Sequence, residues 1–231
     1  MSNHYVVTGS SRGIGYELVK SLANKNHLVT VVARSEEKLT SLRSLFPEQI
    51  FPITADITTE EGRNTLIGHI KEKSISLDGI VHNAGLLIKK PFEELTDDDW
   101  NRQLDVNLLA PVFLTRDLLP HMNSGSHILN IGSMGGFQGS SKFPGLSAYS
   151  VAKGALSVLT ECLAAELADR NISSNCLCLG AVQTEMFEAA FPDFQAPVQP
   201  GDMGRYISEF LLDAHKLFNG RVLPVSLADP S

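Results

Sequence analysis

His4-Tyr5-Val6-Val7-Thr8-Gly9-Ser10-Ser11-Arg12-Gly13-Ile14-Gly15 changes character twice within a dozen residues. A short, β-branched apolar run suits a strand. It breaks into a turn carrying Gly9, Gly13 and Gly15, and from Ile14 the apolar residues Ile14, Leu18 and Leu22 recur at helical spacing. Glycines between a first strand and its helix let the backbone approach a pyrophosphate, whose charge is favoured by the free amides and dipole at the helix N-terminus. The Gly-Lys-Ser/Thr that a P-loop would need is missing. The run Leu28 to Ala33 supplies a second strand and closes a βαβ unit.

Outward from this unit the same alternation continues. Helix Glu36 to Leu45, strand Ile50 to Thr54, helix Thr59 to Lys73 and strand Asp78 to His82 follow in turn. Thr96 with Asp97, Asp98 and Asp99 has the form of a capped helix start, feeding a long helix Trp100 to Leu119 that Pro111 should bend. A strand His127 to Ile131 leads through a Gly- and Ser-rich loop to a helix Leu146 to Asp169, then a strand Ser173 to Leu179. Thr184 to Asp202, rich in Phe, Pro and Ala with little periodicity, is expected to be a mobile segment over a pocket. A helix Met203 to Leu212 and a strand Val222 to Val225 finish the pattern. Strands alternating with helices imply an α/β fold, a doubly wound parallel sheet covered on both faces, and residues 1–231 suit a single domain.

Composition narrows the function classes. Of 231 residues 43% are apolar and 19% charged, a globular balance, and the formal net charge of −7 should repel nucleic acid and anionic membranes. With neither a basic-then-apolar leader nor an unbroken apolar run of spanning length, the chain is expected to be soluble and cytoplasmic. Cys162, Cys176 and Cys178 lack the paired spacing of a zinc site and suit reduced core thiols. The histidines show no metal-binding pairing, so no metal is expected. Partners should be small molecules or further copies of the chain.

One pair of side chains promises chemistry. Tyr149 and Lys153 are four residues apart, on one helix face and one turn from each other. Two charges ~4 Å apart at an effective dielectric of ~20 interact by about 4 kcal/mol, enough to bring a phenol from ~10 to near neutrality. An attraction of that size would let Tyr149 act as acid and as base.

Taken with Tyr149 and Lys153, the spacing Thr8-Gly9-x-x-x-Gly13-x-Gly15 resembles the short-chain dehydrogenase/reductase family in its classical form. The match spans almost the whole chain. Asp56 follows the third strand, Asn83-Ala84-Gly85 the fourth, Asn107 lies in the long helix, Ser133 follows the fifth strand, and Gly180 and Thr184 follow the sixth. The resemblance implies that Tyr149 gives a proton to a carbonyl oxygen or takes one from an alcohol, and that Ser133 hydrogen-bonds the same oxygen. It implies that Lys153 holds the nicotinamide ribose and lowers the tyrosine pKa, and that Asn107 positions a water passing protons from Lys153 to solvent. Gly9, Ser11, Arg12, Gly13, Ile14 and Gly15 would cradle the dinucleotide. Asp56 and Ile57 would meet the adenine, Asn83, Ala84 and Gly85 would line the cofactor, and Gly180, Val182 and Thr184 would meet the carboxamide.

Three positions depart from the family pattern. Leu179 stands where proline is usual, which should loosen the nicotinamide-side loop; His82 replaces the first of two asparagines, leaving a sheet contact in doubt; and extra residues in Gly135 to Leu146 separate Ser133 from Tyr149. At the end of the second strand Ala33 offers no carboxylate for ribose hydroxyls, while Arg34 and Arg12 sit where NADP-preferring relatives keep basic residues. NADPH is therefore expected ahead of NAD. The expected function is NADPH-dependent interconversion of a carbonyl and a secondary alcohol. The alternatives are a 3-oxoacyl thioester reductase and a dinucleotide-binding sensor without turnover. Apolar residues over more than one stripe of the two long helices point to a homodimer or homotetramer. Met186, Phe187, Phe191 and Phe194 suggest an apolar substrate.

Overall fold

The strand His4–Thr8 (β1) is buried along its whole length, and in the computed structural model, which describes residues 2–227, it lies inside a seven-stranded sheet. Its neighbours are Leu28–Ala33 (β2) and Leu77–His82 (β4). Beyond them come Ile50–Thr54 (β3) on one side and Met122–Ser133 (β5), Ser173–Leu179 (β6) and Arg221–Val225 (β7) on the other, in the order β3-β2-β1-β4-β5-β6-β7. All the pairings are parallel. Parallel strands are covered on both faces and so need apolar residues on both. Tyr5 and Val7 join Val29, Val31, Leu129 and Leu177 in one core, whereas Val6 joins Val32, Ile80 and Ile128 in the other. The odd-even split is the pleat of the strand.

Helices Gly13–Asn24 (α1), Glu36–Leu45 (α2) and, late in the chain, Pro200–Asp213 (α8) cover the first face through Leu18, Leu22, Leu39, Leu42, Ile207 and Leu211. Glu60–Glu72 (α3) contributes Leu66 and Ile70 to the second core, and Ala110–Leu118 (α5) contributes Leu114 and Leu118. Ser147–Glu166 (α6) also packs beside the sheet, against β5 and β6. Asp97–Leu104 (α4) begins at the expected cap, where Thr96 and Asp99 bond each other's backbone amides in a capping box.

Four details differ from expectation. β5 begins at Met122, five residues before His127, because Met122 pairs with Leu77 across a register shift that the polar run Asn123-Ser124-Gly125-Ser126 disguises. The long helix does not simply bend at Pro111 but widens into a π-turn, Asp105–Leu109, in which Ala110 N–H reaches back to Asp105 O. Proline has no N–H for the carbonyl of Asn107 four residues back, so the widened turn absorbs the misfit. The segment after β6 is not structureless: Glu185–Ala190 forms a short helix (α7), and Gln183 N–H bonds Val198 O beneath it. Finally, Cys176 and Cys178 are core thiols but Cys162 is exposed, since the buried face of α6 runs through Leu156, Thr160 and Ala164.

Candidate active site

Every candidate catalytic or cofactor-binding residue, apart from Asn107, Tyr149 and Lys153, lies at or just past the C-terminal end of a strand. They therefore surround the crevice where strand order reverses between β1 and β4. The glycine turn there is built to a tight tolerance. Gly9 has φ +68°, and a Cβ on it would lie 2.7 Å from Ala84 Cα; one on Gly15 would lie 2.3 Å from Asn83 Nδ2 and 2.5 Å from Gly9 O. Asn83 explains the closeness: its Nδ2 donates to Thr8 O and Gly9 O at 3.0 and 3.1 Å, while Thr8 Oγ1 accepts from the amides of Asn83 and Ala84, both at 3.1 Å. The Asn83 side chain thus holds the turn in shape, and what it leaves for a ligand is the turn's own surface. Within α1 the first helical bond is made by Tyr16 N–H to Arg12 O, at 3.3 Å. The amides of Gly13, Ile14 and Gly15 precede it and carry the positive end of the helix dipole.

Along the crevice, Arg34 is exposed past Ala33, and Asp56 lies past β3. Burial pushes the Asp56 carboxyl up, but the hydroxyl and amide of Thr58 (2.7 and 3.0 Å) and the nearby Arg34 more than offset it, leaving it below the usual carboxylate range. Ile57 turns its side chain into the second core and Val182 into the first, so only their backbones face outward. Ser11 is half-exposed in the turn, and Ile14 packs against the first core. Arg12 is not free: its guanidinium pairs with Glu185 at the start of α7. Thr184 faces Gly13, and its hydroxyl accepts from Phe187 N–H at 3.2 Å, capping α7. Leu179 does not leave the following loop loose, for it is buried in the first core and Gly180 N–H bonds Val225 O at 2.9 Å.

Deeper in, Ser133 ends β5 beside the Tyr149 phenol, and Lys153 is buried one turn further along α6. Lys153 Nζ donates to Ile131 O at 2.7 Å and stands 5.9 Å from the centre of the Tyr149 ring. The near-neutral phenol expected from helical spacing is therefore not what the fold builds. Burial pushes the Tyr149 phenol up to about 12 despite the Ser133 hydrogen bond, and burial lowers Lys153 to about 8. The lysine is drawn to a backbone carbonyl rather than to the phenol, so the pair holds a neutral, proton-bearing tyrosine. Asn107, fully buried in the π-turn, bonds Leu86 twice, giving Nδ2 to Leu86 O (2.8 Å) and accepting from Leu86 N–H (3.1 Å). Gln103 likewise accepts from Ile88 N–H at 2.9 Å, so the segment after Gly85 is laced to this helix. His82 bonds a helix and not another strand: its Nε2 meets Thr115 Oγ1 at 2.8 Å, tying β4 to α5.

The far wall is aromatic. Phe187 and Phe191 on and after α7 lie 5.2 Å apart, Phe194 and Phe143 join them edge-on, and Lys89 Nζ sits 4.1 Å over Phe191 while donating to Ala190 O. Sequence reasoning missed Phe143, Lys89 and Glu185. Glu185 could have been found, since Thr184-Glu185 opens a capped helix start of the kind recognised at Thr96. The donors fit a dinucleotide: a cradle that any Cβ would fill, free helix amides, and a guanidinium where a carboxylate is missing. Among the described residues no cluster of three or more metal-ligating side chains occurs, and no helix is long and apolar enough to cross a membrane.

The family model described as short chain dehydrogenase matches residues 3–194. The chain is 32% identical over 188 residues to Oxidoreductase BOA17 of Botryotinia fuckeliana, covering 80% of this chain and 68% of that one. It is 32% identical over 195 residues to the 3beta-hydroxysteroid dehydrogenase of Mediterraneibacter gnavus, covering 82% and 70%. Among solved structures, a dehydrogenase/reductase from Sinorhizobium meliloti 1021 superposes with a TM-score of 0.89 at 27% identity, covering 100% of this chain and 96% of that one.

Proposed function

Because the chain belongs to the short-chain dehydrogenase family, we propose that it is an NADPH-dependent oxidoreductase that reduces a carbonyl compound to a secondary alcohol, and runs the reverse where conditions favour it. The observation that carries this reading is the neutral Tyr149 phenol beside the Ser133 hydroxyl, with Lys153 buried behind both. When bound, the nicotinamide supplies the hydride. Tyr149 donates its proton to the oxygen that the hydride leaves negatively charged, and Ser133 hydrogen-bonds the same oxygen and steadies its charge. A phenol held at about 12 keeps its proton at neutral pH, so Tyr149 meets the substrate in its acid form. Lys153 would hold the ribose and, with Asn107 nearby, would return a proton from solvent to Tyr149. The relative named as a 3beta-hydroxysteroid dehydrogenase supports a secondary alcohol or its ketone as the reacting group, and the rings of Phe143, Phe187 and Phe191 support an apolar body behind it.

Cofactor preference rests on Arg34 more than on Arg12, which must leave Glu185 before it can meet a phosphate. Hydrogen bonds to a charged group contribute roughly 1.5 to 3 kcal/mol each, so about ten- to a hundredfold tighter binding of NADPH than of NADH is expected. Fluorescence titration with both cofactors, then NADPH absorbance over a panel of ketones, quinones and acyl thioesters, tests the reading. Tighter NADH binding would overturn the cofactor assignment, and the Ala33→Asp, Arg34→Ala double change should reverse the preference. Bound cofactor without turnover of any substrate class would favour the sensor.

A homodimer or homotetramer is also proposed. Val151 and Val158, seven residues apart on α6, are 53% and 58% exposed and form an apolar outer stripe that Cys162 extends. A monomeric mass by light scattering at micromolar concentration would contradict it.

A further inference from the structure

Cys176 and Cys178 point from one face of β6, and their sulfurs lie 3.9 Å apart. Both are fully buried, and neither has a part in the chemistry of Tyr149 and Ser133. Room for them is made by Gly132 on the neighbouring strand, where a Cβ would stand 2.7 Å from Cys176 Sγ and 2.9 Å from Cys178 Sγ. On the helix side, Ser157 Oγ is 3.9 Å from the first sulfur and 3.8 Å from the second. One turn earlier on the same helix is Lys153, whose Nζ bonds the carbonyl of Ile131, the residue next to Gly132, at 2.7 Å. Two soft donors and a hydroxyl thus converge beside the carbonyl that holds the Lys153 ammonium.

We propose that Cys176 and Cys178 form a two-thiolate site for a soft monovalent cation of the copper(I) type, and that its occupancy suppresses the reaction at Tyr149. The suppression rests on the function proposed for Tyr149; the site does not. Thiolates select soft d¹⁰ ions. Taking ~2.3 Å for each metal–sulfur bond, a linear unit spans at most about 4.6 Å, so the sulfurs need to part by well under 1 Å. On binding, two S–H bonds break, two sulfur–metal bonds form and two protons leave to solvent, with nothing oxidised or reduced. Charge selects the valence. Two thiolates around a monovalent ion carry one negative charge, which the Lys153 ammonium balances, whereas a divalent ion would leave a neutral unit that gains nothing from the lysine. The bound unit draws Lys153 away from Ile131 O and sets a negative centre behind Tyr149. The ribose contact and the return of the proton both fail as a result.

Silver(I), which does not cycle between valences, is the probe, with Cys162→Ser as the starting protein so that the exposed thiol does not compete. Native mass spectrometry should show one silver per chain at one equivalent. Cys176→Ala and Cys178→Ala, each folded by circular dichroism and each active without silver, should bind roughly a hundredfold more weakly because the second ligand is lost. Equal binding by either variant, or no silver retained at one equivalent, overturns the site, and cadmium(II) binding as tightly as silver overturns the charge argument. NADPH oxidation with a ketone should fall to under a tenth as silver reaches one equivalent; full turnover with silver bound overturns the suppression and leaves the site standing. A protein that turns over no substrate overturns the proposed function, while the mass measurement still decides the site.

Discussion

Tyr149→Phe should lower turnover about 10²- to 10⁴-fold, the range by which a positioned proton donor accelerates such reactions, with cofactor affinity nearly unchanged. The substitution removes only the hydroxyl. The ring keeps its place on α6, and Ser133 loses a partner but remains at the end of β5. Lys153→Ala is the contrasting variant: it should damage turnover and cofactor binding together, and it also takes the donor away from Ile131 O. A Tyr149→Phe protein that reduces a ketone at the parent rate would sink the mechanism. Parallel losses in turnover and cofactor affinity for this variant would mean that the phenol is a packing group.

Acid should unfold the protein steeply, and three histidines set the window. His4, His82 and His127 are buried, and burial lowers them to about 4, about 3 and about 4. Each is hydrogen-bonded in its buried place, His4 with Thr30, His82 with Thr115, and His127 with Leu211 O, and it is burial that keeps the rings neutral. In the unfolded chain each titrates near ~6.5. Above that pH neither state carries these protons and they contribute no pH dependence. Below it the unfolded chain takes up protons that the folded protein refuses, so stability falls with falling pH until the folded values are reached. Each group contributes a slope of about 1.4 kcal/mol per pH unit, so three give about 4 kcal/mol per unit between about pH 6 and 4.5. Against a typical total of about 5–15 kcal/mol, unfolding near pH ~4 to 5 follows. Urea midpoints between pH 7 and 5 measure it, and His82→Asn should remove about a third of the slope. Midpoints that stay flat over that range would refute the account.

The sequence pattern is enough to place β1, β2, α2, β3 and β6 at their observed bounds; for β1 and β2 the reason is that buried parallel strands are nearly continuous in apolar β-branched residues and are cut off sharply by glycine or polar residues. The first half of β5 escapes, since Asn123, Ser124 and Ser126 are polar and fall in a register shift that only the pairing of Met122 with Leu77 reveals. The site residues lie where strand ends predict, but several of their duties do not follow from position. Asn83 is occupied with the glycine turn and Thr184 with capping α7, facts that depend on which backbone groups come within hydrogen-bonding reach. The proton affinity of Tyr149 is hidden for a related reason. Spacing along a helix fixes which face two residues share, but neither how deeply they are buried nor which carbonyl competes for the lysine.

The order β3-β2-β1-β4-β5-β6-β7 has a bearing on how the molecule comes into being during synthesis. From β5 onward each new strand joins the edge left by the strand before it, and none has to be threaded between two already in place. The growing chain reverses its direction of growth only once, when β4 returns to β1 after β3, and from then on assembly can proceed outward as residues emerge. The glycine turn and Asn83 are joined at that reversal, early in synthesis, whereas Ser133, Tyr149 and α7 arrive later. A nascent chain should thus shape its phosphate cradle well before it owns a proton donor, so that the dinucleotide could serve as a template on which the second half of the sheet is laid down.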